Sequence, residues 1–371
     1  MVLSYPLMSV TKAIAARIGS ATGRGIAQNL REHYSPWLLR AAVLVLLVAN
    51  TVNIGADLGA MGDALKLLIG GPLLVYTDAF ARGCVLLEVF VRYKRYAALL
   101  KWLALSLLAY VAVLFVVHID PGEALAGTFV PSFSFKAGYA QAVVAVLGTT
   151  ISPYLFFWQA SQEVEEVRRR RLVPLNGAPA SVKRELQRIK TDTWTGMGYS
   201  NLIALFIILA TAATLHANGI THIDTSAEAA EALRPVAGEF AFELFAAGII
   251  GTGLLAVPVL AGSAAYAVCE SFGWVSGLDL KLGNATAFYG VIAVSTAIGL
   301  ALNFIGVNPI KALYWTAILN GVLAAPLMAL MLMIASNRDI MGDLAIPSST
   351  RAGGWIATLV MGAASVAFLV S

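Results

Sequence analysis

Apolar windows of about twenty residues, each long enough for an α-helix to cross the hydrocarbon core of a bilayer, recur along almost the whole sequence. The composition agrees with this pattern, because 59% of the residues are hydrophobic, 12% are charged and the mean hydropathy is +0.78. The chain is therefore predicted to be an all-α, polytopic membrane protein. We predict a single transmembrane domain over residues 1–371.

The apolar windows predict about nine full spans. They cover residues 37–60, 72–90, 99–118, 138–159, 196–216, 239–268, 288–306, 312–335 and 355–370. Residues 1–18 carry an apolar run that is too short to span, and they lack the order of segments found in a cleavable signal peptide. A helix stub is expected there, and the alternative is a short helix that lies in the membrane interface.

Lys and Arg residues are concentrated in three connections: before the first span, after the second span and in the segment 162–195. Such connections usually face the cytoplasm, so segment 162–195 is predicted to be a cytoplasmic loop and the C-terminus to lie outside. This topology also explains the net charge of +4. The sequence therefore indicates contact with membrane lipid and no nucleic-acid partner, and it leaves the oligomeric state open.

The stretch GTTISPYLFFWQ, which begins at Gly148, places a proline inside an apolar span. Pro153 removes a backbone amide and clashes with the carbonyl of Thr149, so a kink or an interruption is expected. The hydroxyls of Thr149 and Ser152 then lie beside freed carbonyls. Together with the carbonyls around Gly148 and Ile151, they form a cluster of hard oxygen ligands that suits Mg²⁺ or Mn²⁺. The alternative is an ordinary proline kink whose hydroxyls hydrogen-bond to their own backbone.

Polar residues also recur inside the first span. Asn50, Asn53 and Asp57 are spaced by three and four residues, so they share one face of a helix. A carboxylate within a membrane is a functional-site hypothesis, and Asp57 is expected to attract a cation or to bind a proton. The alternative is that the asparagines bond neighbouring helices and that Asp57 lies near the membrane surface. Asn320 likewise lines an access path or joins two helices.

Several catalytic patterns do not occur in the sequence. It has no phosphate-binding glycine loop with its lysine, no His-Glu zinc pattern and no glycine-flanked nucleophilic serine. The four histidines fall in loops or at their ends, and the two cysteines lie far apart. We therefore expect neither an enzyme nor a resident cofactor. The divalent cation expected at the oxygen cluster would be a transported substrate.

Four segments, taken in order, resemble the Nramp family of divalent-metal transporters. They are VANTVNIGADLGAMG, GTTISPYLFFWQASQEVEEVR, FELFAAGIIGTGLLAVPVLAGSAAYAV and SNRDIMG. The likeness covers essentially the whole chain and is closest to a divergent bacterial branch that includes the Nramp-related magnesium transporters. It implies the LeuT-type (APC) fold, which has two inverted five-helix repeats, each with its first helix broken around a midplane metal site. The span broken at Pro153 would be the family's sixth helix.

The resemblance also implies roles for single residues. Aligned on Pro153, Ser152 stands where the family has a metal-binding methionine, and Tyr154 stands where it has a histidine. Thr149 matches a residue that offers its carbonyl to the metal, and Asp57 matches the third-helix aspartate. A hard ligand in place of the soft methionine favours Mg²⁺ over softer transition metals, with Mn²⁺ as the alternative.

The same resemblance bears on coupling and on the start of the chain. Ala60 stands where proton-coupled members keep a glutamate, and the ninth-helix segment contains no arginine. We therefore predict transport without proton coupling. Residues 1–18 correspond to the inner end of the family's second helix, so the first helix, which would supply the strongest anionic ligand, is expected to be absent. Either the start was assigned too late, or the chain is a degenerate, non-transporting scaffold.

Overall fold

This computed structural model describes residues 1–91, 105–116, 121–129, 137–170, 182–220 and 222–370, and every regular element in those ranges is helical. The first eight α-helices are α1 (Ser4–Thr22), α2 (Ile26–His33), α3 (Pro36–Ile69), α4 (Leu73–Phe90), α5 (Ala109–Val116), α6 (Pro121–Phe129), α7 (Ala137–Thr150) and α8 (Pro153–Arg169). The remaining elements are α9 (Val182–Thr214), α10 (Ser226–Ala230), α11 (Arg234–Ala237), α12 (Ala241–Phe272), α13 (Thr286–Leu302), α14 (Pro309–Ser336), α15 (Arg338–Met341) and α16 (Ser348–Val370). Short 3₁₀ turns join several of them.

Local sequence signals explain where the long helices begin. Ser35 caps α3 by accepting a hydrogen bond from the amide of Leu38 at 3.4 Å, and a proline occupies the first helical position. Asn308 caps α14 in the same way, with the amide of Lys311 at 3.1 Å. These caps satisfy amides that a helix leaves without a partner at its start, so both helices have defined entry points.

Seven helices among the described residues are long and apolar enough to cross a membrane. They are Pro36–Ile69, Gly138–Arg169, Val182–Asn218, Gly238–Phe272, Thr286–Ile305, Pro309–Ser336 and Ser348–Val370. Each overlaps one predicted span. The predicted stub at 1–18 lies within α1, which continues to Thr22.

The other two predicted spans are not among the seven apolar helices, and the predicted loop is helical in part. Span 72–90 forms α4, but this helix carries Asp78, Arg82 and Glu88 and is not among the seven apolar helices. Only 105–116 of span 99–118 lies within the described residues. The predicted loop 162–195 is largely helical where it is described, because α8 runs on to Arg169 and α9 begins at Val182. The ion pair between Glu163 on α8 and Arg188 on α9 stabilises the parts of these helices that lie in the predicted loop.

Helix α3 lies at the centre of the bundle and packs against α12, α13, α14 and α4. On one side of this centre, α7 packs against α14, and their close approach needs small residues: a Cβ atom added at Gly148 would lie 2.0 Å from the carbonyl oxygen of Ala317. On the other side α1 packs against α8, where a Cβ at Gly19 would lie 2.1 Å from the carbonyl oxygen of Ala160. Both halves of the broken helix are thus held tightly against neighbours.

Candidate functional site

The interruption predicted around Pro153 is a full break in the helix. Helix α7 ends at Thr150, Ile151 forms a bend, and Ser152 adopts an extended conformation with φ −82° and ψ 134° before α8 begins. In the described part of the chain, no backbone amide donates to the four carbonyls of residues 148–151. Four backbone acceptors are therefore left without the amide donors that a continuous helix would provide.

The hydroxyls at the break donate to their own backbone, which was the alternative weighed from the sequence. Ser152 Oγ donates to the carbonyl of Gly148 at 2.6 Å and to that of Thr149 at 3.3 Å. Thr149 Oγ1 donates to the carbonyl of Ala145 at 2.8 Å. A hydroxyl that donates its single proton still has two lone pairs. The oxygens of Ser152 and Thr149 therefore keep the capacity to bind a cation.

A cavity of about 550 Å³ opens beside the break. Six of the predicted site residues line it, and we call it the break cavity: Asn53, Asp57, Thr149, Ser152, Tyr154 and Asn320. They come from α3, from both sides of the break and from α14. The structure thus brings together residues that are up to 267 positions apart, from Asn53 to Asn320.

Two polar groups in the break cavity have oxygens without protein partners. The carboxylate of Asp57, which is half-buried, makes no hydrogen bond or ion pair with any residue that the structure describes. Asn320 is 4% exposed, and its Oδ1 atom has no hydrogen-bond partner in the same part of the chain. Because an unpaired polar group is costly away from bulk water, both oxygens are placed as a bound cation or ordered water would require.

The remaining predicted site residues do not line the break cavity with their side chains. Ile151 is 1% exposed and packs in the core, and Gly148 lies against α14. Pro153 is buried at the start of α8. Asn50 is fully buried, and its Nδ2 donates to the carbonyl of Leu260 at 2.9 Å. It therefore joins α3 to α12, which was the alternative to a site role for the asparagines of α3.

The sequence prediction missed a buried acid that makes no hydrogen bond in the described part of the chain. Glu88 on α4 is 3% exposed, and neither carboxylate oxygen has a hydrogen-bond partner among the described residues. The signal was present, since this glutamate lies in the apolar run CVLLEVF of a predicted span. Tyr314 and Thr316, which line the break cavity from α14, gave no comparable signal.

Beyond the break, on the side of α8, charged groups are paired with one another. Arg188 on α9 contacts Glu163 on α8 at 2.7 Å and Glu185 on its own helix at 2.7 Å. Glu163 also accepts a hydrogen bond from Ser20 on α1 at 3.2 Å. We call Ser20, Glu163, Glu185 and Arg188 the α8 cluster. It ties α1, α8 and α9 together on the side of the break away from the cavity.

A second set of contacts joins α8, α12 and α2 on the same side. The carboxylate of Glu270 accepts hydrogen bonds from Ser161 Oγ at 2.7 Å and from the amide of Gln28 at 3.2 Å. Tyr266 donates to Glu165, which also accepts from the amide of Leu278. The cavity is therefore open beside α7 and sealed by polar contacts beside α8.

An apolar helical bundle with a helix broken beside a polar cavity defines a multi-pass membrane transporter, in which unwound backbone is tolerated because it lines the substrate site. More particularly, the chain belongs to the Nramp family, since the family model described as natural resistance-associated macrophage protein-like matches residues 1–371. Members of this family are transporters and not enzymes, as the sequence predicted.

Curated relatives agree with this assignment. A divalent metal cation transporter, MntH, of Deinococcus radiodurans is 24% identical over 375 residues, which covers 97% of this chain and 79% of the relative. The MntH of Bradyrhizobium diazoefficiens is 29% identical over 310 residues, which covers 76% of this chain and 61% of the relative.

Solved structures show the same fold. A crystal structure of the Eremococcus coleocola manganese transporter matches with a TM-score of 0.78 at 14% identity, covering 99% of this chain and 78% of that one. Mhp1, a nucleobase-cation-symport-1 family transporter in a closed conformation, matches with a TM-score of 0.52 at 17% identity, covering 100% of this chain and 81% of that one. The predicted all-α, LeuT-type architecture is confirmed.

Proposed function

We propose that this chain carries a divalent metal cation across the cytoplasmic membrane through the break cavity, with Mg²⁺ or Mn²⁺ as the favoured ion. The observation that carries the proposal is the Asp57 carboxylate, which has no partner among the described residues and shares the cavity with the oxygens of Ser152 and Thr149. The named function of the matched relatives, divalent metal cation transport, points in the same direction.

The preference for a hard cation follows from the lining of the cavity. Its described polar lining groups are carboxylate, amide, hydroxyl and phenol, without methionine, cysteine or histidine. Both cysteines are buried elsewhere in the bundle. Oxygen ligands suit Mg²⁺ and Mn²⁺ better than softer transition metals.

The size of the cavity supports a cation that keeps part of its hydration shell. A water molecule takes about 30 Å³ of liquid volume, so six waters need about 180 Å³, well within the cavity. In the described residues, no three His, Cys, Asp or Glu side chains are grouped to hold a metal. Water would therefore complete the coordination of an ion held by Asp57 and neutral oxygens, as is usual for Mg²⁺.

We also propose that transport is not coupled to protons and is driven by the membrane potential and the metal gradient. Helix α13 contains no charged residue or histidine along its length, and Ala60 on α3 is a buried residue that cannot carry a proton. Glu88 is the buried acid that would bind a transported proton if transport were coupled to protons. Metal uptake without acidification or alkalinisation inside proteoliposomes supports uniport. A metal-linked proton flux that Glu88→Gln abolishes would contradict it.

The transport proposal is tested by uptake of Mg²⁺, Mn²⁺ and Zn²⁺ into proteoliposomes. Ser152→Trp fills the cavity and is expected to abolish uptake of all three ions, with the size-exclusion profile as the check on folding. Thr149→Lys is the second variant, because it places an ammonium group in the cavity without requiring new space in the core.

The matched control for Thr149→Lys is Thr286→Lys. Thr286 is exposed on α13, and its hydroxyl also donates to a carbonyl four residues earlier, that of Leu282 at 3.2 Å. Uptake is expected to survive in this control. If Thr149→Lys transports as well as Thr286→Lys, the break cavity is not the path. If the unsubstituted chain takes up no metal, the non-transporting scaffold is the better account.

A further inference from the structure

A second cavity lies away from the break, between α1, α9 and the start of α16. It has a volume of about 630 Å³, and we call it the α1–α9 groove. Its lining includes three cations, Arg17, Lys183 and Lys190, and three apolar side chains, Ile14, Leu186 and Trp194. Among the described residues that line this groove, none is acidic.

The cations of the groove differ from the other basic residues of α9. Arg188, on the face towards α8, is paired with Glu163, Glu185 and Asp192. Lys183 and Lys190 make no ion pair with any described residue, and their spacing of seven puts them on one face of the helix. The α1 side of α9 therefore presents uncompensated positive charge.

The third cation is held in a fixed position. The guanidinium of Arg17 donates to the carbonyl of Leu344 at 2.8 Å and to that of Ala345 at 3.3 Å. These bonds leave its other donors available, since a guanidinium has five. A fixed guanidinium that lines the same groove as two ammonium groups is suited to a phosphate, which accepts several charged hydrogen bonds.

The groove is amphipathic along its length. Lys183 lies at the start of α9 and Trp194 lies eleven residues further along, or about 16 Å at the rise of an α-helix. Trp194 packs edge-to-face with Tyr5 at 5.5 Å, and Tyr5 donates to the Trp194 carbonyl at 3.0 Å. Lys190 lies seven residues after Lys183 and four before Trp194, so the cations alternate with apolar side chains along the groove. This amphipathic lining matches a phospholipid better than a soluble anion.

We propose that the α1–α9 groove binds an anionic phospholipid of the inner leaflet, with the phosphate held by Arg17, Lys183 and Lys190 and an acyl chain along Ile14 and Leu186. Charge complementarity identifies this occupant, because the three cations face no acid and the predicted topology puts the start of α9 at the cytoplasmic leaflet, which carries negative charge. The lipid bridges α1, α9 and α16.

The test compares lipids on the full chain, delipidated in a neutral detergent. Binding is measured by native mass spectrometry and by the shift in thermal unfolding with phosphatidylglycerol, phosphatidylcholine or inorganic phosphate. Phosphatidylglycerol is expected to bind and to raise the melting temperature, while the other two do neither. Equal effects of phosphatidylcholine, or stabilisation by inorganic phosphate alone, would overturn the proposal, since the first needs no charge and the second needs no lipid.

The variant that isolates the site is Lys183→Gln with Lys190→Gln. Both lysines are exposed, so folding should be unaffected, and the loss of two charges is expected to weaken phosphatidylglycerol binding about 30-fold. The matched control is Arg184→Gln with Lys281→Gln, two exposed cations that do not line the groove. Equal affinity of the two double variants for phosphatidylglycerol would show that binding depends on net charge alone, and it would overturn the proposal that the lipid binds in the α1–α9 groove.

Discussion

The two sides of the broken helix differ in how their polar groups are satisfied. Beside α7, the break cavity contains Asp57 and the Oδ1 atom of Asn320, neither of which has a partner in the part of the chain that the structure describes. Beside α8, Arg188 and Glu163 are paired, and Glu270 accepts two hydrogen bonds. Both regions are polar and lie within the same bundle. One has polar oxygens left for a ligand, and the other uses its charges to join helices.

The charges beside α8 join helices, whereas those in the break cavity do not. A buried polar group without a partner is destabilising by about 1–3 kcal/mol, and a ligand bound in the break cavity would offset that cost at Asn320. The paired charges of the α8 cluster instead hold helices together beside α8. For a bound cation to leave beside α8, the α8 cluster and the Glu270 contacts must separate.

The α8 cluster should be the part most sensitive to substitution. Arg188→Ala leaves Glu163 and Glu185 buried without their shared cation, which is expected to destabilise the fold by about 3 kcal/mol. Thermal unfolding in detergent measures the loss. Arg184→Ala, an exposed arginine on the same helix, is the control and should have little effect. Equal melting temperatures for the two variants would remove the contrast between the two sides.

The Glu270 contact should have the next largest effect. Ser161→Ala removes a buried hydroxyl that donates to this carboxylate, and a loss of about 1–2 kcal/mol of stability is expected. Ser271→Ala is the control, because the Ser271 hydroxyl donates to the carbonyl of Val268 on its own helix. Thermal unfolding that does not distinguish the two alanine variants would show that this contact does not hold α8 against α12.

The smallest expected effect is at Ser152, where a comparison with Ser295 separates a role in metal binding from a role in stability. Ser152 and Ser295 are both buried, and each donates to a carbonyl of its own chain segment, at 2.6 Å to Gly148 and at 3.0 Å to Ile292. Alanine at either position should cost about 1 kcal/mol of stability. Only Ser152→Ala should also weaken Mn²⁺ binding, by a few-fold, in isothermal titration calorimetry. An equal change in affinity for Ser295→Ala would mean that the serine acts through the fold.

The sequence predicted the features that depend on neighbouring residues. Proline chemistry located the break at Ser152 and Pro153, and helical spacing placed Asn53 and Asp57 on the face that lines the cavity. Contacts between distant segments were not predictable in this way. The Asn50 bond to Leu260 depends on how α3 meets α12, and the pairing of Glu163 with Arg188 depends on how α8 meets α9.

The most direct test of the account measures Mn²⁺ and Mg²⁺ binding to the purified chain with Asp57→Asn and with Asp63→Asn. Both aspartates are half-buried on α3, but Asp63 accepts a hydrogen bond from Ser226, whereas Asp57 faces the break cavity without a partner. Because ligand charge sets the affinity of hard-cation sites, Asp57→Asn should weaken binding about tenfold or more, and Asp63→Asn should leave it unchanged. Equal affinities in Asp57→Asn and the unsubstituted chain would contradict the central claim that this unpaired carboxylate awaits the metal.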